Sequence, residues 1–437
     1  MLRFAPSPTG YLHVGNARIA LLNFFYSKKI NRDFIIRFDN TDQDRSDKKF
    51  INSIFDDLSW LNIEFKSTFN QFDRLNIYKD IAESLKKEEK IYPCYETSEE
   101  LKLKRKLQLK TGNPPIYDRS SLNLSEKEKN FYKKEGRKPH WRFKLENIKI
   151  SWNDLVHGEI SFDKLSISDP VVIRSDNTPL FTLTSVIDDI EFEISDILRG
   201  DDHITNTAAQ IQIFEALNAR IPNFGHFPLI KNKSGESLSK RKSSFSLNQL
   251  KENKIQPIVL TNLLLKMGTS LQYDKIQDID ELIYEFDINN FSKSSITFHE
   301  EDLSKINSKF ISSLDFNTLK KQLGKNVEKN VWEVIKFNIS KVEDIDNWLR
   351  IFDRDFSVSS KLKNKKLYDC AVDCLPKEVT KDTWKKWCEE ISINTNLKGK
   401  SLFLPLRQKL TGIDKGPEMN LILPLLGRDE IIRRLKI

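Results

Sequence analysis

Leu2-Arg3-Phe4-Ala5-Pro6-Ser7-Pro8-Thr9-Gly10-Tyr11-Leu12-His13-Val14-Gly15-Asn16 decides how the rest of the chain is read. Leu2 to Phe4 is a very short strand, and the Pro/Ser/Gly cluster from Pro6 to Gly10 is a turn. Ile19, Leu22, Phe25 and Tyr26 then recur at helical spacing. A second apolar run, Phe34 to Phe38, reads as a buried parallel strand. It ends in the acidic loop Asp39-Asn40-Thr41-Asp42, before a helix from about Lys48 to Leu61. Strand, helix and strand of these lengths make a βαβ unit, the start of a doubly wound α/β sheet.

From about Tyr92 to Ser166 the pattern changes to an α+β insertion. It holds a Lys-rich helix around Leu101 to Leu109, turn residues Gly112 to Pro115, and short strands at Trp141 to Phe143 and Glu159 to Phe162. The α/β rhythm is expected to resume with a strand at Val171 to Ile173, a helix from Thr182 to Ile190, a strand at Ile194 to Leu198 and a helix from Thr205 to Leu217. After a Lys/Ser-rich loop, Lys231 to Ser244, the chain reads as mostly helical to Ile437. The expected domains are 1–90 and 167–245 for the two halves of the α/β domain and 91–166 for the insertion, then helical domains at 246–320 and 321–437.

The 437 residues, 31% charged and 38% hydrophobic, describe a multidomain globular chain and exclude a disordered or fibrous one. The longest apolar stretches, Ile258 to Leu265 and Leu421 to Leu426, fall far short of the ~18 residues of a membrane span. The first ten residues have neither a signal-peptide nor a transit-peptide pattern, so a cytoplasmic location is expected. Cys94, Cys370, Cys374 and Cys388 lack C-x2-C spacing and read as reduced structural residues. Residues 301–437 hold 27 Lys and Arg against 20 Asp and Glu, which places +7 of the net +8 in the last third. That surplus is either a solvated basic face or a surface for phosphates.

Two loops carry chemistry. His13 lies where the backbone N–H groups and dipole of a helix N-terminus favour phosphate, and Gly15 allows a nucleotide to approach the backbone. Read as structure alone, the same loop is a tight turn with His13 as a helix cap. The second loop is Ser237-Leu238-Ser239-Lys240-Arg241-Lys242. A central Lys in a mobile loop can neutralise charge that builds at an α-phosphate as pyrophosphate leaves. Alone, such a loop is as readily a solvated basic segment.

Together, PSPTG-x-x-H-x-G after the first strand and S-K-R after the last closely resemble the HIGH and KMSKS signatures of class I aminoacyl-tRNA synthetases. Further segments resemble the glutamyl-tRNA synthetase family: Arg37 to Asp42 (R-F-D-N-T-D), Val186 to Asp189 (V-I-D-D), Leu198 to His203 (L-R-G-D-D-H) and Pro405 to Gly412 (P-L-R-x-x-L-T-G). The resemblance runs the length of the chain. It implies a Rossmann-like catalytic domain with an inserted acceptor-binding domain, then helical stem-contact and anticodon-binding domains. The implied activity is ligation of L-glutamate to tRNA(Glu) with ATP, through glutamyl-adenylate, with tRNA(Gln) left open as a second acceptor.

The resemblance further implies that Arg3, Ser7, Asp39, Phe181 and Arg199 line the amino-acid pocket, with Asp39 meeting the substrate ammonium. His13, Gly15, Asn16, Asp202, Ile230, Ser237, Leu238, Ser239, Lys240 and Arg241 would bind ATP, with His13 and Lys240 catalytic. Mg2+ on the ATP phosphates and a monomeric state are expected. Some relatives hold zinc in the insertion through a C-x-C pair and a later Tyr/Cys pair. Here Cys94 is followed by Tyr95 and Glu96, and Tyr117 by Ser121, so no zinc is expected. Asp39 and Asp202 stand where the family often has Glu, Asn40 where it has Asp, and Phe181 and Ser185 where it has Tyr and Asn. Those departures motivate the alternative of a catalytically weakened copy that retains tRNA binding. A truncated paralogue that modifies a tRNA base lacks the C-terminal third present here, and a glutaminyl enzyme differs in its N-terminal motif.

Overall fold

The computed structural model describes residues 1–164, 166–236, 246–323, 327–353, 356–357 and 364–436. The chain divides into two compact units, residues 1–252 with 260–299, and residues 253–259 with 300–437.

The first unit opens as β1 (Leu2–Phe4), α1 (Val14–Lys29), β2 (Phe34–Phe38), α2 (Lys48–Trp60), β3 (Thr68–Asn70) and α3 (Leu75–Lys87). β1 pairs with β2 and β2 with β3, all parallel. Every residue of β1 and β2 is buried, which explains why these strands read as continuous apolar runs rather than alternating ones. α1 is apolar on most of its surface because the sheet lies on one side and later helices cover the other. Its three buried polar residues are tied down: Arg18 donates to the carbonyls of Leu264, Pro228 and Met267, Asn23 to those of Ile19 and Leu198, and Ser27 to that of Phe24.

The insertion comprises β4 (Ile91–Cys94), α4 (Ser98–Lys110), α5 (Glu126–Lys134), β5 (His140–Phe143), β6 (Ile150–Asp154) and β7 (Gly158–Phe162). α4 and α5 bury no residue, so packing does not hold their first turns. Reciprocal capping boxes, Thr97 with Glu100 and Ser125 with Glu128, satisfy the free N–H groups there. β8 (Val171–Ile173) departs from the sequence reading: it pairs antiparallel with β5 and closes the sheet β4-β5-β8 instead of resuming the parallel one. Three apolar residues in a row fit either kind of strand, so only the pairing partner decides.

At the positions considered for zinc, side chains are bonded to one another. Glu96 accepts from Tyr117 Oη at 2.7 Å, Ser121 Oγ at 2.7 Å and Ser120 Oγ at 2.9 Å, while Arg142 stacks 4.0 Å from the Tyr117 ring centre. Burial works to raise the Glu96 carboxyl, but the hydroxyls of Ser121 and Tyr117 outweigh it and hold it down at about 2. Glu96 therefore stabilises the fold above its ordinary value of 4.5, and that stabilisation fades as pH falls towards 2. Glu96→Gln is expected to cost roughly 1.5–3 kcal/mol at neutral pH and to lessen the loss of stability on acidification. Urea unfolding measured across that pH range checks both.

α6 (Phe181–Glu191), β9 (Asp196–Gly200), α7 (Ile204–Ala216) and β10 (Asn223–Phe227) restore the α/β pattern. β9 and β10 are parallel, and the Ser195 N–H donates to the Met1 carbonyl at 2.9 Å, which sets β9 beside β1. β11 (Ile230–Lys231) pairs with β12 (Ile296–Thr297), and between them run α8 (Leu247–Glu252), α9 (Pro257–Lys266) and α10 (Ile279–Glu285).

The second unit is helical, from Glu300–Ser313 to Met419–Lys436. Trp332 and Trp387 are buried in its two apolar clusters, while Trp348 and Trp384 are half-buried at their edges. The Pro405 to Gly412 segment lies in the helix Lys400–Thr411, which Gly412 ends in the left-handed conformation at φ 72°. All four cysteines are free. Among the described residues no helix is long and apolar enough to cross a membrane.

Candidate active site

The loops that follow β1, β2, β9 and β10 all leave the carboxyl ends of parallel strands, the edge at which open α/β sheets bind ligands. They surround a cleft of about 1000 Å³. Arg3, Ser7, His13, Gly15, Asn16, Asp39, Phe181, Arg199, Asp202 and Ile230 all line it. Ser237, Leu238, Ser239, Lys240 and Arg241 lie outside the described residues.

His13 is the N-cap of α1. Its Nδ1 accepts the N–H groups of Gly15 at 3.0 Å and Asn16 at 3.3 Å, and Asn16 Oδ1 accepts the His13 N–H at 3.3 Å. The cap reading and the phosphate reading thus meet in one side chain, because those N–H groups face imidazole instead of standing free. With Nδ1 an acceptor, the neutral ring carries its proton on Nε2. Burial lowers His13 below the ordinary histidine range, so the neutral form holds at neutral pH. Gly15 serves this arrangement directly, since a Cβ there would stand 2.8 Å from His13 Cε1 and 2.9 Å from Nδ1.

Arg199, at the end of β9, is buried. Its Nη2 donates to Thr207 Oγ1 at 2.5 Å and Gln210 Oε1 at 2.7 Å, and its Nε faces His226 Nε2 at 3.4 Å. Nη1 is buried without a partner, and among the described residues no carboxylate pairs with this guanidinium. Burial first, then the neighbouring Arg3, push it down to about 9, which still leaves it charged at neutral pH. A buried cation bonded only to neutral groups, on a residue that lines the cleft, has the chemistry to pair with an anion.

Arg3 is arranged differently. Its Nε and Nη2 grip Asp189 at 2.9 and 3.1 Å, so the fork expected to face a ligand is turned on the protein, with Nη1 as its remaining donor. Asp39 is engaged too: Arg37 Nε lies 2.6 Å from Oδ1 and Nη2 lies 3.3 Å from Oδ2. An ammonium at Asp39 would share this carboxylate with Arg37. Phe181 begins α6 and sits 5.4 Å from the His203 ring. Ser185 donates to the Phe181 carbonyl and accepts from Gln210 Nε2 at 2.6 Å.

Sequence reasoning missed several residues. Arg37 also bonds Asp189 at 2.8 Å, and Asp188 accepts from Gln71, Arg74 and Tyr78, which makes a buried ionic network beneath the cleft. His203 lines the cleft, and burial followed by the charge of Arg199 lowers it to about 4. Arg37, Asp188, Asp189 and His203 all lie in segments quoted above for their resemblance. Asp154, Thr207, Gln210 and His226 belong to no such segment.

Residues 1–305 match the family described as class I tRNA synthetases (E and Q), catalytic domain, and residues 329–437 match an anticodon binding domain. Glutamate–tRNA ligase 1 of Rickettsia prowazekii is 47% identical over 438 residues, which cover 99% of this chain and 98% of that protein. Glutamate–tRNA ligase 2 of Rickettsia canadensis is 46% identical over 439 residues with the same coverage. Among solved structures, a glutamate tRNA ligase from Elizabethkingia meningosepticum in complex with its amino acid has the same fold, with a TM-score of 0.78 at 23% identity. That match covers 100% of this chain and 98% of the other. A glutamate-tRNA synthetase from Elizabethkingia anophelis gives 0.77 at 24% identity, with the same coverage. The chain belongs to the class I aminoacyl-tRNA synthetases of the glutamyl and glutaminyl (E and Q) family.

Proposed function

We propose that this protein is an active glutamate–tRNA ligase. The α-carboxylate oxygen of L-glutamate forms a bond to the α-phosphorus of ATP as the bond to pyrophosphate breaks. The ribose hydroxyl at the tRNA 3′ end then takes the glutamyl group from the adenylate and AMP leaves. The observation that carries the reading is Arg199, a buried guanidinium bonded only to neutral groups, on a residue that lines the same cleft as the HIGH-type loop. It supplies the cation for one glutamate carboxylate, with Arg3 beside it and Asp39 for the ammonium. Ser7 and Phe181 complete the amino-acid pocket. His13 offers Nε2–H to the ATP phosphates, while Gly15, Asn16, Asp202 and Ile230 shape the nucleotide side.

Lys240, with Ser237, Leu238, Ser239 and Arg241, is assigned to charge neutralisation at the α-phosphate on its sequence alone. Lys240→Ala is expected to slow adenylate formation on the order of 10²-fold while tRNA affinity is largely kept. Unchanged turnover would remove it from the mechanism.

Among the described residues no group of three or more His, Cys, Asp or Glu side chains is placed to hold a metal. Mg2+ would arrive on ATP, keep most of its waters and offset phosphate charge, as this ion does when substrate phosphates are its main ligands. The insertion would hold the acceptor end and the basic helical unit would read the anticodon loop. A cytoplasmic location completes the proposal, with a monomeric state that follows from the resemblance alone.

Charging of purified tRNA(Glu) and tRNA(Gln) with labelled glutamate and ATP, in parallel at one salt concentration, tests the reading. Charging of tRNA(Glu) alone identifies a discriminating ligase, and charging of both identifies a non-discriminating one. Binding of tRNA without charging of either would replace the proposal with the weakened-copy alternative.

A further inference from the structure

Asp154 and His226 are buried completely and belong to no motif, yet they end at Arg199. Asp154 closes strand β6 of the insertion, and His226 lies on β10 of the parallel sheet. The Asp154 Oδ1 accepts three backbone N–H groups, those of Val156 at 3.0 Å and of His157 and His226 at 3.1 Å each. Its Oδ2 meets His226 Nδ1 at 2.5 Å. On the other side of the ring, His226 Nε2 meets Thr207 Oγ1 at 2.8 Å and Arg199 Nε at 3.4 Å.

The proton positions follow from these contacts. A guanidinium has only donors, so His226 Nε2, which faces Arg199 Nε, is an acceptor. The ring proton is therefore on Nδ1, where the Asp154 carboxylate receives it. Thr207 can then donate its hydroxyl to Nε2 while its oxygen accepts Arg199 Nη2 at 2.5 Å. Asp154 chooses the tautomer, the tautomer makes an acceptor of Nε2, and that acceptor with Thr207 and Gln210 consumes Nε and Nη2. Nη1 alone is left unbonded.

We propose that Asp154 and His226 are positioning residues for glutamate binding: they hold the Arg199 guanidinium with Nη1 presented to a substrate carboxylate. This rests on the reading of Arg199 as an amino-acid anchor. A side-chain contact that merely glues β6 to β10 would be kept whether position 154 accepts from His226 Nδ1 or donates to it. The two roles therefore separate when the tautomer is reversed without loss of volume.

Asp154→Asn makes that reversal. Three backbone N–H groups keep the amide oxygen at the Oδ1 site, so the amide nitrogen takes the Oδ2 site and donates to His226 Nδ1. The ring proton is driven to Nε2, against Arg199 Nε–H, while the Thr207 hydroxyl turns to the His203 carbonyl at 3.2 Å. Steady-state aminoacylation by the full chain at saturating tRNA reads the result. Asp154→Asn and His226→Phe are expected to raise the glutamate KM by roughly tenfold to a hundredfold, the effect of misplacing a charge-assisted hydrogen bond. The ATP KM should stay within about twofold. His226→Gln, whose amide oxygen can stand near the Nε2 position, should recover most of the loss.

Arg199→Gln run alongside distinguishes the two failures. If it leaves the glutamate KM unchanged, Arg199 is not the anchor and the positioning proposal falls with it. If it raises the glutamate KM while Asp154→Asn and His226→Phe do not, the anchor stands and the positioning proposal is overturned. Equal losses for glutamate and ATP in Asp154→Asn, with no recovery in His226→Gln, would also overturn it by showing a packing role only.

Discussion

Arg37→Met is expected to destabilise the catalytic unit by about 3–5 kcal/mol, enough to prevent much of the protein from accumulating folded. Arg37 is the centre of the buried network, with a side chain 1% exposed. It pairs with Asp39 at 2.6 Å and Asp189 at 2.8 Å, and lies 3.8 Å from Asp188. Burial works to lower this guanidinium, but Asp39 and Asp189 outweigh it and raise it instead. Methionine fills similar space but leaves Asp39 with no cation within ion-pair distance among the described residues, and leaves Asp189 with Arg3 only. The loss therefore comes from stranded carboxylates more than from the missing pair itself.

Two controls identify that cause. Adding Asp39→Asn to Arg37→Met should restore part of the stability, because the stranded charge is removed along with its partner. The single variant should also lose less on acidification than the parent. Burial already raises the Asp39 carboxyl in the parent against the pull of Arg37, and Arg37→Met removes that opposing cation, so protonation of Asp39 as pH falls favours the folded state more strongly in the variant. In the parent, burial works to raise Asp189 but Arg3 and Arg37 outweigh it and lower it, so that contribution is lost as pH falls. Urea unfolding of the parent, the single and the double variant measures all three. A loss below about 1 kcal/mol in Arg37→Met would show that the network is dispensable for stability.

The same network shows where a sequence stops being informative. The strands and helices from Leu2 to Trp60 were legible because each announces itself locally, through an apolar run, a turn cluster or helical spacing. The cleft was legible because loops after parallel strands converge on one edge of the sheet, so residues as distant as Arg3 and Ile230 meet without any pairwise knowledge. Pairings that no local pattern encodes were not legible. Arg37 and Asp189 stand 152 positions apart, and Asp154 and His226 stand 72 apart. A faint signal existed in Phe34-Ile35-Ile36-Arg37-Phe38, since a guanidinium inside a fully buried strand requires buried acids, and Asp188-Asp189 on an apolar helix is a pair in search of cations. Val171–Ile173 was misplaced for the complementary reason: its apolar residues are compatible with both sheets, and only the pairing with Trp141 and Arg142 assigns it. The bond from the Arg3 fork to Asp189 was equally illegible, because Asp189 is invisible from position 3.

His13→Asn is expected to leave stability nearly unchanged while slowing adenylate formation by about 10²–10³-fold, the range for losing one donor to a developing charge. The prediction depends on the two nitrogens doing different work. Nδ1 caps α1 through the N–H groups of Gly15 and Asn16, and asparagine is among the best caps because its side-chain oxygen reaches the same groups. Asparagine has nothing at the Nε2 position, so the donor to the phosphates is lost alone. His13→Ala removes both functions and should add a stability loss of about 1 kcal/mol to the kinetic one. Gly15→Ala approaches the same site from the other side. Its methyl group would lie within 3 Å of the imidazole, so the ring must leave its place, and a kinetic loss is expected although no polar atom has been removed. Single-turnover adenylate formation and thermal unfolding, measured on the three variants, separate the two nitrogens. If His13→Asn retains full activity, the helix cap is all that this histidine contributes, and charge at the phosphates must be met by Lys240 and Arg241 without it. If His13→Asn and His13→Ala lose stability equally, Nδ1 is not the cap that its distances to Gly15 and Asn16 describe.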